Sequence, residues 1–106
     1  MAHIRNHNAK NTGETLQTES TDGGKSWSQP RSIGVWGLPS HLQRIAGGRL
    51  LMSYGYRRKP YGNLARTSDD HGKTWSEPYT ISADGAGGDL GYPSTVQLTG
   101  GSLVTV

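Results

Sequence analysis

The chain has 106 residues, among them 16 glycines, no cysteine and no phenylalanine, and 31% of its residues are hydrophobic. This composition excludes disulfides and thiolate metal sites, and no apolar run approaches the roughly 20 residues of a membrane-spanning helix. The net charge of +3 is scattered. Neither nucleic acid nor a membrane is therefore expected as a partner, because nucleic-acid surfaces carry dense basic patches with interleaved aromatic residues.

The first 14 residues are polar and lack periodicity, which predicts a flexible N-terminal arm over residues 1–14. His3 and His7 lie in this arm without a third ligand, so no metal site is predicted there. No other cofactor is expected. The residues after Met1 lack the apolar core of a signal peptide, and the sequence gives no indication of localisation.

From residue 15 onwards, short alternating segments predict eight strands. They are Thr15–Ser20, Trp27–Ile33, His41–Ile45, Arg49–Tyr56, Leu64–Ser68, Trp75–Ser82, Pro93–Leu98 and Leu103–Val106. Two glycine pairs, Gly47-Gly48 and Gly100-Gly101, lie 53 positions apart between apolar runs, which is typical of hairpin turns. Many short strands joined by glycine-rich turns predict an all-β fold of antiparallel strands.

One octapeptide occurs twice. Residues 20–27 return as residues 68–75, and both copies follow the pattern Ser-x-Asp-x-Gly-x-(Ser/Thr)-Trp. The aspartate is expected to accept bonds from backbone N–H groups downstream, the glycine to adopt positive φ, and the tryptophan to anchor the turn. These residues are assigned to folding rather than catalysis: Ser20, Asp22, Gly24 and Trp27, with Ser68, Asp70, Gly72 and Trp75.

The repeated octapeptide resembles the Asp-box, or BNR repeat, of sialidases and other Asp-box β-propellers. In that family the box lies in the turn between the third and fourth strands of a four-stranded blade, on the outer rim. The resemblance covers nearly all of residues 15–106. It implies two blade-equivalents, arranged as an outer half-blade, a full blade and an inner half-blade.

A chain cut in mid-blade at both ends would expose complementary strand edges, which are templates for association. Head-to-tail contacts close into a ring where the rotation fits. Three copies would supply six blades, the number found in sialidases, so a cyclic homotrimer is expected. The competing interpretation is a fragment of a longer propeller.

The resemblance also implies a site at one mouth, formed by residues 34–40, 57–63 and 83–92. The expected substrate-binding residues are His41, Arg44, Arg57, Arg58 and Tyr61, and the expected catalytic pair is Asp89 with Tyr92. Each has a plainer interpretation. The segment 57–59 suits a solvated loop, His41 suits a hydrogen-bonded structural role, and the segment 89–93 suits a turn.

Guanidinium groups bind carboxylates bidentately, so a carbohydrate, specifically an acidic sugar, is the expected ligand. The chain is interpreted as a sialidase-like propeller subunit that recognises or hydrolyses glycans as an exo-glycosidase. The family's arginine motif, Arg followed by Ile or Leu and Pro, is missing at Ile4-Arg5-Asn6. Enzymatic activity is therefore left open. The alternatives are a non-catalytic propeller module that binds glycans or proteins and assembles by strand complementation, and a purely structural two-blade unit.

Overall fold

A computed structural model describes residues 1–7 and 13–106, and its regular structure is almost entirely antiparallel β-sheet. The strands are β1 (Ala2–Ile4), β2 (Glu14–Thr18), β3 (Arg31–Trp36), β4 (Ser40–Arg44), β5 (Leu50–Tyr56), β6 (Gly62–Ser68), β7 (Tyr79–Ser82), β8 (Thr95–Gln97) and β9 (Leu103–Thr105). A single 3₁₀ turn, Ala46–Gly48, joins β4 to β5. Within the described ranges, no helix is long and apolar enough to cross a membrane.

The central sheet is a complete four-stranded unit in the order β4-β5-β6-β7. β5 and β6 pair over seven positions, from Leu50 opposite Ser68 to Tyr56 opposite Gly62. β5 is buried from Leu50 to Gly55, and the polar Ser53 in this stretch accepts from Thr95 Oγ1 of β8 at 2.9 Å. A strand buried at successive positions is covered on both faces, and the other two sheets lie on those faces.

The first sheet has the order β1-β2-β3, which differs from the sequence prediction of an N-terminal arm. Ala2, His3 and Ile4 pair with Thr18, Gln17 and Leu16. The inner edge of β2 would otherwise expose unpaired N–H and C=O groups, and β1 satisfies them. The part of the predicted arm at residues 8–12 lies outside the described residues.

The third sheet contains only β8 and β9. Its hairpin repeats the β4–β5 hairpin with the predicted offset of 53. Leu98 N donates to Ser102 O at 2.8 Å, and Ile45 N donates to Arg49 O at 2.9 Å in the equivalent positions. The third sheet is therefore the inner half of another blade-like unit.

Two strands begin later than the sequence predicts. The strands after the boxes are expected from Trp27 and Trp75, whereas β3 begins at Arg31 and β7 at Tyr79. Pro30 and Pro78 immediately precede these strands. Proline has no N–H to give to a ladder, so regular pairing starts only beyond it.

The main core lies between the first and central sheets. Val35 of β3 packs with Met52 and Tyr54 of β5, and all three are at most 3% exposed. The partly buried residues around them are Ile33, Leu42, Tyr56, Leu64 and Trp75. The Tyr54 hydroxyl keeps a polar partner, because Arg66 Nε donates to it at 3.1 Å.

The described residues form three blade-like sheets and no closed ring. In this part of the chain β9 pairs with β8 alone, so its other edge is open as expected. The matching edge of β2 is not open, because β1 occupies it. A trimer stitched directly from these two edges would require β1 to leave.

Candidate functional site

The first Asp-box lies in the turn between β2 and β3 and the second in the turn between β6 and β7, the last two strands of their sheets, and each box is closed by its own side chains. In the first box Ser26 N and Oγ donate to the Asp22 carboxylate at 2.9 and 2.6 Å, and Gly24 N donates to Ser20 Oγ at 2.8 Å. The two hydrogen bonds from Ser26, with a smaller contribution from the Ser20 hydroxyl, lower the pKa of Asp22 to about 2. Gly24 adopts φ of 90°, as the sequence analysis requires.

The second box repeats this geometry almost atom for atom. Thr74 N donates to Asp70 Oδ1 at 2.9 Å, and Gly72 N donates to Ser68 Oγ at 2.8 Å. Hydrogen bonds from Thr74 hold the pKa of Asp70 well below its usual range. Because hydrogen bonds within each turn engage the carboxylates of Asp22 and Asp70, the boxes have a structural role.

The second box also joins two sheets. The Gly72 carbonyl accepts from Gln17 Nε2 at 3.1 Å and from Arg31 Nη2 at 3.3 Å, both in the first sheet. Gln17 is 1% exposed, and its Oε1 accepts from His3 Nε2 at 3.2 Å. A buried polar network therefore fixes the first sheet against the central one.

At the opposite end of the sheets, two arginines converge on Tyr92. Arg5 Nη1 donates to the Tyr92 hydroxyl at 3.4 Å, and Arg57 Cζ lies 5.6 Å from the centroid of the Tyr92 ring. Arg5 follows β1, Arg57 follows β5, and Tyr92 precedes β8. All three sheets thus contribute to one cationic cluster, which we call the Arg5–Arg57–Tyr92 cluster.

The guanidinium group of Arg57 is incompletely paired. Its Nε and Nη2 are buried and have no hydrogen-bond partner among the residues that the structure describes. In the same part of the chain the salt bridges join Arg31 to Glu19 and Arg49 to Asp69, so neither Arg5 nor Arg57 has a carboxylate partner. Buried charged donors without partners are costly, and a ligand could pair with these two only if the groups that cover them moved aside.

Tyr92 is 69% exposed, and its hydroxyl interacts with the guanidinium groups of both Arg5 and Arg57. The hydrogen bond from Arg5, followed by the guanidinium of Arg57, lowers the pKa of Tyr92. Positive charge nearby favours the phenolate form of a tyrosine. The Tyr92 hydroxyl therefore lies in a locally positive environment.

An aromatic surface adjoins the cluster. Arg58 Cζ stacks 3.9 Å from the ring centroid of Trp36, which meets Tyr56 edge-to-face with centroids 5.7 Å apart. Trp36 ends β3, so it lies at the same end of the sheets as the loop after β5. Aromatic rings beside cations are suitable supports for a sugar ring.

The structure separates the expected substrate-binding residues. Arg44 pairs with Leu50 at the end of β4 next to the 3₁₀ turn, and its Nη1 donates to Gly48 O at 2.9 Å. The mouth loops leave the other end of the sheet, so the placement of Arg44 at the mouth is wrong. A five-residue strand carries its last side chain roughly 13 Å from its first.

His41 has the structural role that the sequence analysis left open. Its Nδ1 accepts from the backbone N–H of Thr95 at 3.2 Å, which ties β4 to β8. This bond engages His41 Nδ1 between two sheets, and a role of Nε2 in ligand binding stays a prediction. Arg57 and Arg58, by contrast, lie in the loop between β5 and β6, at the end of the sheets that carries Tyr92.

Tyr61 lies in the loop between β5 and β6, and Asp89 lies in the loop between β7 and β8. Gly85 N donates to Tyr61 O at 3.0 Å, so this loop packs on the end of the segment 57–61. Asp89 is exposed, and in the described part of the chain no hydrogen bond joins it to Tyr92. Their pairing in catalysis therefore stays a prediction.

Sequence reasoning missed Arg5 and Trp36. Arg5 was placed in a flexible arm, and its contact with Tyr92 spans 87 positions. The sequence signal that could have revealed β1 and Arg5 was the repeat itself. β2 corresponds to β6, which pairs with β5 on one side, so a strand is also expected beside β2. Among the described residues, no group of three or more His, Cys, Asp or Glu is placed to hold a metal ion.

Comparison with known proteins defines the class. The model of the BNR repeat-like domain family matches residues 1–105, and the chain belongs to this family. A solved structure of a protein of unknown function from Dyadobacter fermentans is similar, with 34% sequence identity and a TM-score of 0.79. The alignment covers 88% of this chain and 26% of that protein, so the chain spans about a quarter of its length. No curated protein matched.

Proposed function

We propose that the chain is a glycan-recognising, sialidase-like propeller unit that binds an acidic sugar at the Arg5–Arg57–Tyr92 cluster. The observation that supports this proposal most directly is that Nε and Nη2 of Arg57 are buried without hydrogen-bond partners among the described residues. A sugar carboxylate supplies the two acceptor oxygens that match this fork. Trp36 and Arg58 lie beside it and offer contact to the rest of the ring.

Isothermal titration calorimetry with N-acetylneuraminic acid, glucuronic acid and neutral galactose tests this proposal. We expect both acids to bind and galactose to bind far more weakly. Arg57→Gln should weaken binding of the acids roughly 10- to 100-fold, the range for losing a charged hydrogen bond. Arg44→Gln is the matched control, because Arg44 lies at the other end of β4. Equal losses for the two variants would contradict the proposal.

A second function, hydrolysis of the bound glycoside, is favoured by one observation. The pKa of Tyr92 is lowered by Arg5 and Arg57, which makes its hydroxyl a better nucleophile than an ordinary tyrosine. Asp89 is the proposed acid, and substrate would have to bridge the two residues. Release of fluorophore from a sialoside that Tyr92→Phe and Asp89→Asn both abolish would support hydrolysis. Unchanged release in both variants would remove these residues from the catalytic role.

A further inference from the structure

The loop between β7 and β8, residues 83–94, contains four glycines and no regular secondary structure. Its first part is tied to the neighbouring loop, because Gly85 N donates to Tyr61 O at 3.0 Å. From residue 86 to residue 92, no backbone hydrogen bond joins it to another part of the described chain outside the strand ladders. We call residues 86–92 the cover loop, because this segment ends on the Arg5–Arg57–Tyr92 cluster.

The cover loop meets β5 at a pair of glycines. A Cβ atom added at Gly91 would lie 2.7 Å from Gly55 Cα, and one added at Gly55 would lie 2.8 Å from Gly91 O. Side chains do not approach backbone this closely, so the contact requires glycine at both positions. Gly91 also adopts φ of 83°, where L side chains are strained. Two glycines therefore bring the backbone of the cover loop onto the end of β5.

This contact places Tyr92 against the two arginines of the cluster. Tyr92 follows Gly91 directly, and Arg57 lies two residues after Gly55. Arg57 Cζ lies 5.6 Å from the centroid of the Tyr92 ring, and the Tyr92 hydroxyl accepts from Arg5 Nη1 at 3.4 Å. The end of the cover loop thus engages both guanidinium groups.

Tyr92 leaves the needs of Arg57 unmet. Nε and Nη2 of Arg57 are buried and have no hydrogen-bond partner in the described part of the chain. Tyr92 offers a ring face and one hydroxyl, and Arg5 already donates to that hydroxyl. Burying charged donors without acceptors is unfavourable. The closed position of the cover loop therefore carries a penalty that exposure of Arg57 would remove.

We infer that the cover loop is a lid, and that Tyr92 occupies the place between Arg5 and Arg57 that the carboxylate of a ligand takes when the lid lifts. This inference rests on the proposed function, because it concerns access to the same site. A carboxylate has two acceptor oxygens, so it satisfies the Arg57 donors that Tyr92 leaves unpaired.

The lid is fixed at one end and held weakly at the other. The fixed end is the bond from Gly85 to Tyr61, and the closed position is the contact of Gly91 with Gly55. A contact between two glycines buries no apolar side chain and therefore contributes little to the closed position. The apparent affinity of a ligand is reduced in proportion to the fraction of molecules that are open. Variants that weaken this contact should therefore bind the ligand more tightly.

Solvent exchange of the Arg57 Nε–H, measured by ¹⁵N NMR, tests the lid without any ligand. Gly91→Ala forces the loop away from β5, and we expect this exchange to become several-fold faster than in the unsubstituted chain. The matched control is Gly47→Ala, because Gly47 has a similar φ of 79° and nothing within 4 Å of an added Cβ. Gly55→Ala disrupts the same contact from β5 and is the second variant should Gly91→Ala fail to fold. Equal exchange in the variants and the control would overturn the lid.

Calorimetric titration with N-acetylneuraminic acid tests what the lid does. Tyr92→Phe removes the hydroxyl bond to Arg5, so we expect binding several-fold tighter than in the unsubstituted chain, with Gly91→Ala changing in the same direction. Weaker binding by Tyr92→Phe would overturn the inference and make Tyr92 a direct contact of the sugar. Faster exchange in Gly91→Ala without binding by any of the chains would contradict the proposed function and leave the mobility of the cover loop supported.

Discussion

At the scale of single residues, the two Asp-boxes allow the effect of burial on the same hydrogen bond to be compared within one chain. Both boxes contain the same bond from a glycine N–H to a serine Oγ at 2.8 Å. Ser68 is 3% exposed and its bond is buried, whereas the bond of Ser20 is exposed to solvent. The same hydrogen bond therefore operates in two different environments.

Substituting the two serines separates the local turn from its burial. Ser68→Ala leaves the buried Gly72 N–H without a partner and should lower the free energy of unfolding by about 1–3 kcal/mol. Ser20→Ala exposes Gly24 N–H to water and should cost less than about 1 kcal/mol. Urea denaturation of both variants measures the difference. Equal costs would show that the second box gains nothing from its contact with the first sheet.

At the scale of elements, the predictable features were those built from local bonds. The boxes close through side chains two to four residues away, and the Gly-Gly hairpins close within one turn, so their sequence determines their form. β1 could not be predicted in this way, because a three-residue strand shows no periodicity and is stabilised by β2. The same limit applies to Arg5, whose partner Tyr92 lies 87 positions away.

β1 is held by a histidine that titrates. His3 Nε2 donates to Gln17 Oε1 at 3.2 Å, and its Nδ1 lies 3.0 Å from Ser40 Oγ, which can donate to the neutral ring. Burial lowers the pKa of His3, and the positive charges of Arg31 and the N-terminus act in the same direction, while the Gln17 bond opposes them. A released β1 would have an ordinary histidine pKa.

The docking of β1 should therefore depend on pH. A lowered pKa in the docked state means that docking is strongest above about pH 6.5 and weakens as the pH falls towards the docked-state pKa. Hydrogen exchange of the β1 amides, corrected for intrinsic rates, should show decreasing protection over that range. His3→Gln should remove the dependence, and a persistent dependence in this variant would assign it to another group.

At the scale of the whole molecule, the three sheets have two different ends. One end carries the Asp-boxes and the Gly-Gly turns, which are closed by local bonds and by the ion pair between Arg49 and Asp69. The other end carries the Arg5–Arg57–Tyr92 cluster, to which each sheet contributes one residue. The cluster thus depends on the packing of all three sheets. Variants that destabilise the packing of the first sheet should therefore weaken ligand binding, even where the substituted residue makes no contact with the ligand.

The most direct test of the account is a ¹⁵N NMR titration of the chain with N-acetylneuraminic acid, with its methyl ester as the uncharged control. We predict saturable shifts of the Arg57 Nε–H signal and of the backbone amides of Arg57 and Tyr92, with none at Arg44. The ester should cause much smaller shifts, because it lacks the carboxylate charge. Equal shifts with acid and ester, or shifts at the Asp-box end alone, would contradict the proposed site.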